Sequence, residues 1–387
     1  MKIAQIWHAL VNAAHPWGRI VCLVADILSV AALFLIYVCQ CWALTEYTAP
    51  FASRLLNVQL IALIVLFVLQ LRRLKRIGIW LVILANAIAV PIIVHHAPMG
   101  EFVKLYIALM LMLILFRQMV LPRRAFLALH LMNALFLSYF LAMAEKMVAY
   151  ENYYVVFMRG YNENTVGILG VACMMHWACF FGMLRIKKGY RLLGQLLGMI
   201  LGFYYVNHSG CRSALLAVIL FVLLYLVCFK PLPSRWLQAV MAAALVILAG
   251  FPLLYIRWSH QISYFKLFGQ NAFSGREELW ESALYAVLEH PFMGAGLSTQ
   301  SSMHHILVEL VLRFGIVAVL SFFVLLLLRD KRGEGCRLSR IAQISFLACM
   351  AIACFESFFT DRYLSFFFLS FLLTAVKSNK RDASPKK

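Results

Sequence analysis

Long apolar runs separated by short polar segments make up nearly the whole chain. The runs centre on Leu23–Leu44, Leu55–Leu71, Ile77–Val94, Val103–Val120, Ala125–Ala144 and Thr165–Leu184. They continue with Leu192–Val206, Ser213–Phe229, Trp236–Tyr255, Ile306–Leu328, Ile341–Phe359 and Tyr363–Val376. Crossing the hydrocarbon core takes about 20 apolar residues in a helix. The runs are continuous and lack the alternation of barrel strands. The pattern therefore predicts an all-α polytopic membrane protein of about twelve transmembrane helices. It divides into a single membrane domain over 1–376 and a basic tail over 377–387. Two segments are longer than the other loops: Glu145–Asn164, rich in Tyr and Asn, and Ile256–Met303.

Ile256–Met303 contains a second kind of pattern. Ser274-Gly275-Arg276-Glu277 fits a capping box, with Ser274 as N-cap and Glu277 reaching back to it. Leu279, Trp280, Ala283, Leu284, Val287 and Leu288 follow as an apolar stripe, and His290-Pro291 closes the helix. Such a helix is expected to lie along the membrane face or to cap a cavity. The upstream piece, Ile256 to Phe268, reads as a second interfacial helix. At the N-terminus Ile3, Ile6, Trp7, Leu10 and Val11 recur at helical spacing, which fits either a helix on the inner membrane surface or a frayed terminus. The residues before Ile20 lack the continuous apolar core of a cleavable signal peptide.

Composition agrees with the pattern: 64% of the 387 residues are hydrophobic and 13% charged, so the solvent is lipid. A net charge of +19 would suggest nucleic acid in a soluble protein. Here it encodes orientation and no nucleic-acid partner is expected. With a cytoplasmic N-terminus, most of the 35 basic residues fall in inward-facing segments, including Arg72, Arg73, Lys75, Arg76, Lys187, Lys188, Arg329 and Arg340. Both termini are then cytoplasmic. The rule leaves Arg159, Arg212, Arg257, Lys266, Arg276, Arg313 and Arg362 on the outer side without a topological reason. The ten cysteines lie mostly inside apolar runs, so a disulfide framework is not expected, and no Cys/His cluster has zinc spacing.

Candidate chemistry gathers on the outer side. Arg276 lies at the start of the amphipathic helix, where amide donors and the dipole favour an anion, and a forked guanidinium suits a diphosphate. It could equally pair with Glu277 or Glu278, or reach lipid phosphates. Arg212 belongs to the polar hinge Ser209-Gly210-Cys211-Arg212-Ser213, facing either headgroups or a bound polar substrate. His304 and His305 open the run Ile306–Leu328; neighbours on a helix point about 100° apart, so they cannot serve one site equally. An imidazole there can accept or position a hydroxyl proton, and Glu309, one turn below His305, could orient it. Gly294 and Gly296 suit a tight turn after Pro291. Glu356, Asp361 and Arg362 mark the last outer loop and could pair among themselves.

The order of these segments resembles a known family. S-G-C-R-S-A-L-L-A (Ser209–Ala217), S-G-R-E-E-L-W (Ser274–Trp280), H-P-F-M-G-A-G (His290–Gly296) and H-H-I-L-V-E-L-V-L-R-F-G (His304–Gly315) are similar to the motifs of the bacterial O-antigen ligase and polymerase superfamily. Registering on Gly315 puts His304 on the family histidine and His305 where Asn is usual, while Cys211 and Ser213 stand where Ser and Gly are common. Which of the two histidines works stays open at this point.

The resemblance implies a GT-C-like, metal-independent, inverting glycosyltransferase with no cofactor. It implies a donor glycan on undecaprenyl diphosphate, a lipid A–core acceptor, and a periplasmic active site in the bacterial inner membrane. Arg212 and Arg276 would stabilise the leaving diphosphate and His304 would activate or position the acceptor hydroxyl. His305, Glu309, Gly294 and Gly296 would contact substrate. The compact length and the single dominant outer loop favour the ligase over the O-antigen polymerase. A solute or lipid transporter would place its charges near the midplane, where this chain has only Asp26 clearly within a helix.

Overall fold

The structure, a computed structural model, describes residues 16–376 except 46–48, 72–76, 97–99, 120–122, 144–145, 151–152, 158–162, 229–231, 233, 263–265, 268–269, 272–275, 293, 296–302, 328–338 and 357–364. The N-terminal surface helix, Ser274 and Gly275 of the capping box, Gly296, Asp361, Arg362 and the basic tail lie outside the described residues. Each predicted apolar run falls on a helix. In chain order these are α1 (Pro16–Thr45), α2 (Ala49–Gln70), α3 (Ile77–His96), α4 (Gly100–Gln118), α5 (Arg123–Ala142) and α6 (Glu163–Met183). They are followed by α7 (Lys188–Ser209), α8 (Arg212–Val227), α9 (Ser234–Ile262), α10 (Glu277–Glu289), α11 (Ile306–Leu327), α12 (Ser339–Ala353) and α13 (Ser365–Val376). Among the described residues five segments are long and apolar enough to cross a membrane: Val24–Thr45 of α1, α5, Asn164–Met183 of α6, Trp236–Trp258 of α9 and α11. The chain is a multi-pass membrane protein.

The outer segments differ from expectation in two places. Strands were expected nowhere, yet β1 (Lys146–Tyr150) and β2 (Tyr153–Phe157) pair antiparallel with Lys146 opposite Phe157, and β3 (Lys266–Leu267) pairs with β4 (Gln270–Asn271). Both hairpins lie outside the apolar runs, where water or headgroups can satisfy an open edge. The piece from Ile256 is no separate interfacial helix. α9 continues through it to Ile262 despite Pro252, so the polar interruption begins seven residues later than its composition suggests.

The interior is built on α4, α6 and α13, whose side chains are largely buried, while α1, α7 and α9 carry exposed Leu, Ile, Val and Phe on the side that faces lipid. Lipid gives no hydrophobic drive for helix association, so close packing must supply it. α7 shows how. Its buried face is Gly194, Gly198, Gly202 and Val206, and a Cβ added at Gly202 would lie 2.6 Å from the Gly170 carbonyl oxygen of α6. At Gly198 it would lie 2.3 Å from Trp177 Cβ. Small residues at every fourth position let the two backbones meet.

Candidate functional site

One end of the bundle carries a polar cluster assembled from five separate segments. Its frame is α10. Trp280 is fully buried, with its ring edge-on to Tyr255 of α9 (5.0 Å between centroids) and to His305 (5.4 Å). Its Nε1–H donates to the Met303 carbonyl at 2.7 Å. One aromatic thus pins α10 both to α9 and to the turn that bears the two histidines.

The segment after α10 is anchored in an unusual way. α11 is broken at Gly315, with φ 75° and ψ −176°. In an unbroken helix the Ile316 N–H would donate to the Leu312 carbonyl. Here the Leu312 carbonyl accepts from Ala295 N–H (2.7 Å), and Ile316 N–H donates to the Pro291 carbonyl (2.9 Å). The turn 291–295 therefore inserts into the gap in α11. Gly294 is needed there: its φ is +73°, and a Cβ would sit 2.6 Å from the Arg313 carbonyl carbon and 2.7 Å from Leu312 O. The P-x-x-G turn and the R-F-G of α11 are two halves of one joint.

His304 and His305 have different environments. His305 is buried and caps α11: its Nδ1 accepts the N–H groups of Leu307 (3.2 Å) and Val308 (3.3 Å), and its carbonyl accepts from Glu309 N–H. A capping Nδ1 must be unprotonated. Burial, which penalises the charged ring, pushes the His305 pKa down to about 3. His304 instead has φ +51°, a side chain 33% exposed, and its Nδ1 lies 2.9 Å from Glu356 Oε2. The strained, solvent-reaching imidazole is His304.

Glu356, which the sequence marks only as an acid of the last loop, is the hub of the cluster. Its Oε1 accepts from Arg276 Nη2 (3.1 Å) and Asn164 Nδ2 (3.3 Å), while Oε2 meets His304. A tight turn past the end of α12, with Glu356 N–H donating to Ile352 O, delivers the carboxylate. Arg276 Nη1 also donates to the Phe355 carbonyl, so the arginine grips the end of α12 twice. Arg276 is not in the first turn of α10 but its N-cap residue, one position earlier. Its salt bridge is to Glu356, distant in sequence. Among the outer cations, Arg313 is buried and paired with Glu309, Arg257 is exposed, and Arg159 and Arg362 lie outside the described residues.

The hinge bearing Arg212 docks beside this cluster. Arg212 is the first residue of α8, with Cys211 as N-cap. A Cβ on Gly167 of α6 would lie 2.5 Å from both Cys211 Cβ and Ser209 Oγ, which fixes the hinge against the helix that carries Asn164. The Cys211 thiol pKa is pushed up to about 11, first by burial and then by the Glu356 carboxylate, with hydrogen bonds from Ser213 and Ala214 and then the Arg276 charge partly offsetting it. The hinge is thus within electrostatic reach of the Arg276–Glu356 pair. Glu309 has partners besides the histidine turn. Its Oε2 accepts Met303 N–H at 2.8 Å and its Oε1 takes Arg313, which locks the backbone just before His304. Among the described residues no three His, Cys, Asp or Glu side chains are placed to hold a metal ion.

Residues 197–323 match a family model described as O-Antigen ligase. The segment takes in most of α7, the hinge, α8 to α10 and the broken part of α11; Asn164 and Glu356 lie outside it. Neither the curated proteins nor the solved structures gave a match.

Proposed function

We propose that this chain, a member of the O-antigen ligase family through residues 197–323, transfers a polysaccharide from undecaprenyl diphosphate to lipid A–core at the periplasmic face of the inner membrane. About twelve spans with both termini cytoplasmic would put the cluster on that face. The observation that carries the reading is the shared carboxylate of Glu356, which holds Arg276 and His304 together at the outer end of the bundle.

In the proposed reaction His304 donates Nδ1–H to Glu356, which leaves Nε2 as a proton acceptor. Nε2 takes the proton of the acceptor hydroxyl as its oxygen attacks the anomeric carbon. The bond from that carbon to the phosphate oxygen breaks with inversion, and its electron pair leaves with the diphosphate. Arg276 and Arg212 stabilise that charge as it develops. His305, Glu309 and Gly294 act by holding the turn under His304, a positioning role in place of direct substrate contact. Because Arg276 is already tied to Glu356, the incoming diphosphate competes for the guanidinium and leaves Glu356 to Asn164 and His304. No metal takes part in this scheme.

A deletion strain tests the reading at the level of lipopolysaccharide. Loss of a ligase leaves core without O-antigen while carrier-linked glycan accumulates. Core bearing a single repeat unit would make the protein a polymerase instead, and unchanged lipopolysaccharide in a strain that normally makes O-antigen would remove both.

A further inference from the structure

A second polar cluster lies deep in the bundle, at the opposite end from Glu356. His130 of α5 and His176 of α6 are both fully buried, and their Nδ1 atoms are 2.8 Å apart. His130 is seven residues from the start of α5 and His176 seven from the end of α6, so the pair sits roughly 10 Å inside the membrane at 1.5 Å per residue. Intramembrane ionisable groups are costly and mark function by default. Nothing in the outer chemistry uses these two.

Counting protons along the chain of contacts identifies what the site takes. His176 Nε2 meets the Phe367 carbonyl (3.1 Å), the two Nδ1 atoms meet each other, His130 Nε2 meets Thr374 Oγ1 (2.9 Å), and Thr374 Oγ1 meets the Ser370 carbonyl (2.9 Å). Those four contacts need four hydrogens. Two neutral imidazoles and one hydroxyl supply three. One extra proton completes every contact: His176 donates to Phe367, His130 donates to Thr374, Thr374 donates to Ser370, and the added proton lies between the Nδ1 atoms. We propose that His130 and His176 form an intramembrane binding site for a single proton, shared between their Nδ1 atoms, which ties α5 and α6 to α13.

The surroundings suit that charge. The Phe371 ring stacks on both imidazoles, 4.3 Å from His176 and 5.8 Å from His130, where its face can stabilise a cation. Asn133, one turn from His130 on the same helix, is fully buried, and no described residue hydrogen-bonds either of its amide atoms. Its oxygen accepts and its nitrogen donates, so it can answer either protonation state. Among the described titratable neighbours are the thiols Cys173 and Cys179 of α6 and Cys349 of α12, and the Tyr37 phenol of α1, which donates to Met132 O. Charged groups at this end include Arg123, whose guanidinium donates to the Met183 carbonyl, with Arg124, Arg185, Lys187, Lys188 and Arg340. A metal ion fits less well than a proton. Two nitrogens on a tetrahedral ion at 2.0–2.1 Å stand roughly 3.3 Å apart, whereas 2.8 Å is an N–H···N hydrogen bond.

Full-length protein labelled with ¹⁵N-histidine in lipid nanodiscs tests the proposal by nuclear magnetic resonance. On acidification one strongly deshielded proton should grow in, coupled to two Nδ1 nitrogens, with one proton bound per pair. His176→Gln should abolish it. Thr374→Val keeps the packing but removes the acceptor of His130 Nε2–H, so fewer molecules should carry the shared proton at the same pH. Two separately titrating imidazoles overturn the proposal, as do two rings that stay neutral until the protein unfolds, or a signal that Thr374→Val leaves unchanged. If His176→Gln does not fold, the titration of the native protein and of Thr374→Val still decides.

Discussion

The α6–α7 interface and the outer cluster reach specificity by opposite means. Between α6 and α7 side chains are deleted: Gly194, Gly198 and Gly202 let Phe181, Trp177 and Met174 lie on bare backbone. In the outer cluster every important group is polar and each is held by another, Glu356 by Arg276, Asn164 and His304, and Glu309 by Arg313 and Met303. The first arrangement needs no partner chemistry and tolerates none. The second leaves one imidazole a third exposed beside a carboxylate, which is what a proton-transfer site requires. In a lipid-solvated protein, then, shape holds the scaffold and boundary charge marks the place of chemistry.

The largest effect should come from breaking the His304–Glu356 pair. General acid–base catalysis contributes about 10²–10⁴-fold, so His304→Ala should lower the rate of glycan transfer in proteoliposomes by that order while the protein still inserts and folds. Glu356→Ala should cost a similar factor, and the double variant little more than either single, because groups that act as a unit are not additive. Independent, multiplying losses would show that the two do not work together. Arg276→Ala should cost about 10²–10³-fold through the leaving diphosphate. Retained transfer in that variant would take Arg276 out of the mechanism.

Much of the frame was legible from residue pattern, and the limits have physical causes. The apolar runs coincide with described helices, in which the backbone satisfies its own hydrogen bonds. The end of α10 at His290-Pro291 was equally readable, since proline disfavours helix in the residue before it. The motif order H-P-F-M-G-A-G and H-H…R-F-G drew attention to these segments, yet not to their geometry: that one turn fills the gap in another helix depends on a break at Gly315 that no spacing announces. Glu356 was visible only as an acid at the outer end of a run, and its natural partners in sequence were Asp361 and Arg362. Its actual partners, Arg276, His304 and Asn164, are 52 to 192 residues away, a pairing that only the packing of α6, α10 and α12 creates.

Scaffold substitutions should behave in the opposite sense. Gly202→Leu forces a side chain against the Gly170 carbonyl and Met174, and overpacking of this kind costs about 1–3 kcal/mol or more. The expected result is a lower Tm in nanodiscs, with the turnover of the surviving folded molecules unchanged. Gly294→Ala should lie between the two regions. It combines a left-handed backbone with a Cβ against α11, a cost of about 1–3 kcal/mol, and it should also slow transfer because the turn positions His304. If Gly202→Leu abolished turnover without loss of Tm, the division between scaffold and site would collapse.

The smallest effect concerns the histidine that stays buried. His305→Ala removes a side-chain cap and should cost about 1 kcal/mol, whereas His305→Asn retains a capping oxygen and should cost less. The acid dependence separates capping from mere bulk. The His305 pKa falls from 6.5 in the unfolded chain to about 3 in the fold because burial penalises the imidazolium. Between those values the unfolded chain binds the proton and the folded one does not, so stability rises with pH and is lost as pH falls from 6.5 toward 3. The slope is at most about 1.4 kcal/mol per unit. His305→Asn, which cannot titrate, should flatten that acid limb in the native-state Tm while leaving the neutral plateau nearly in place. An acid limb that kept its full slope in His305→Asn would mean that the buried ring does not carry it, and that the exposed and buried histidines of the pair differ less than their environments require.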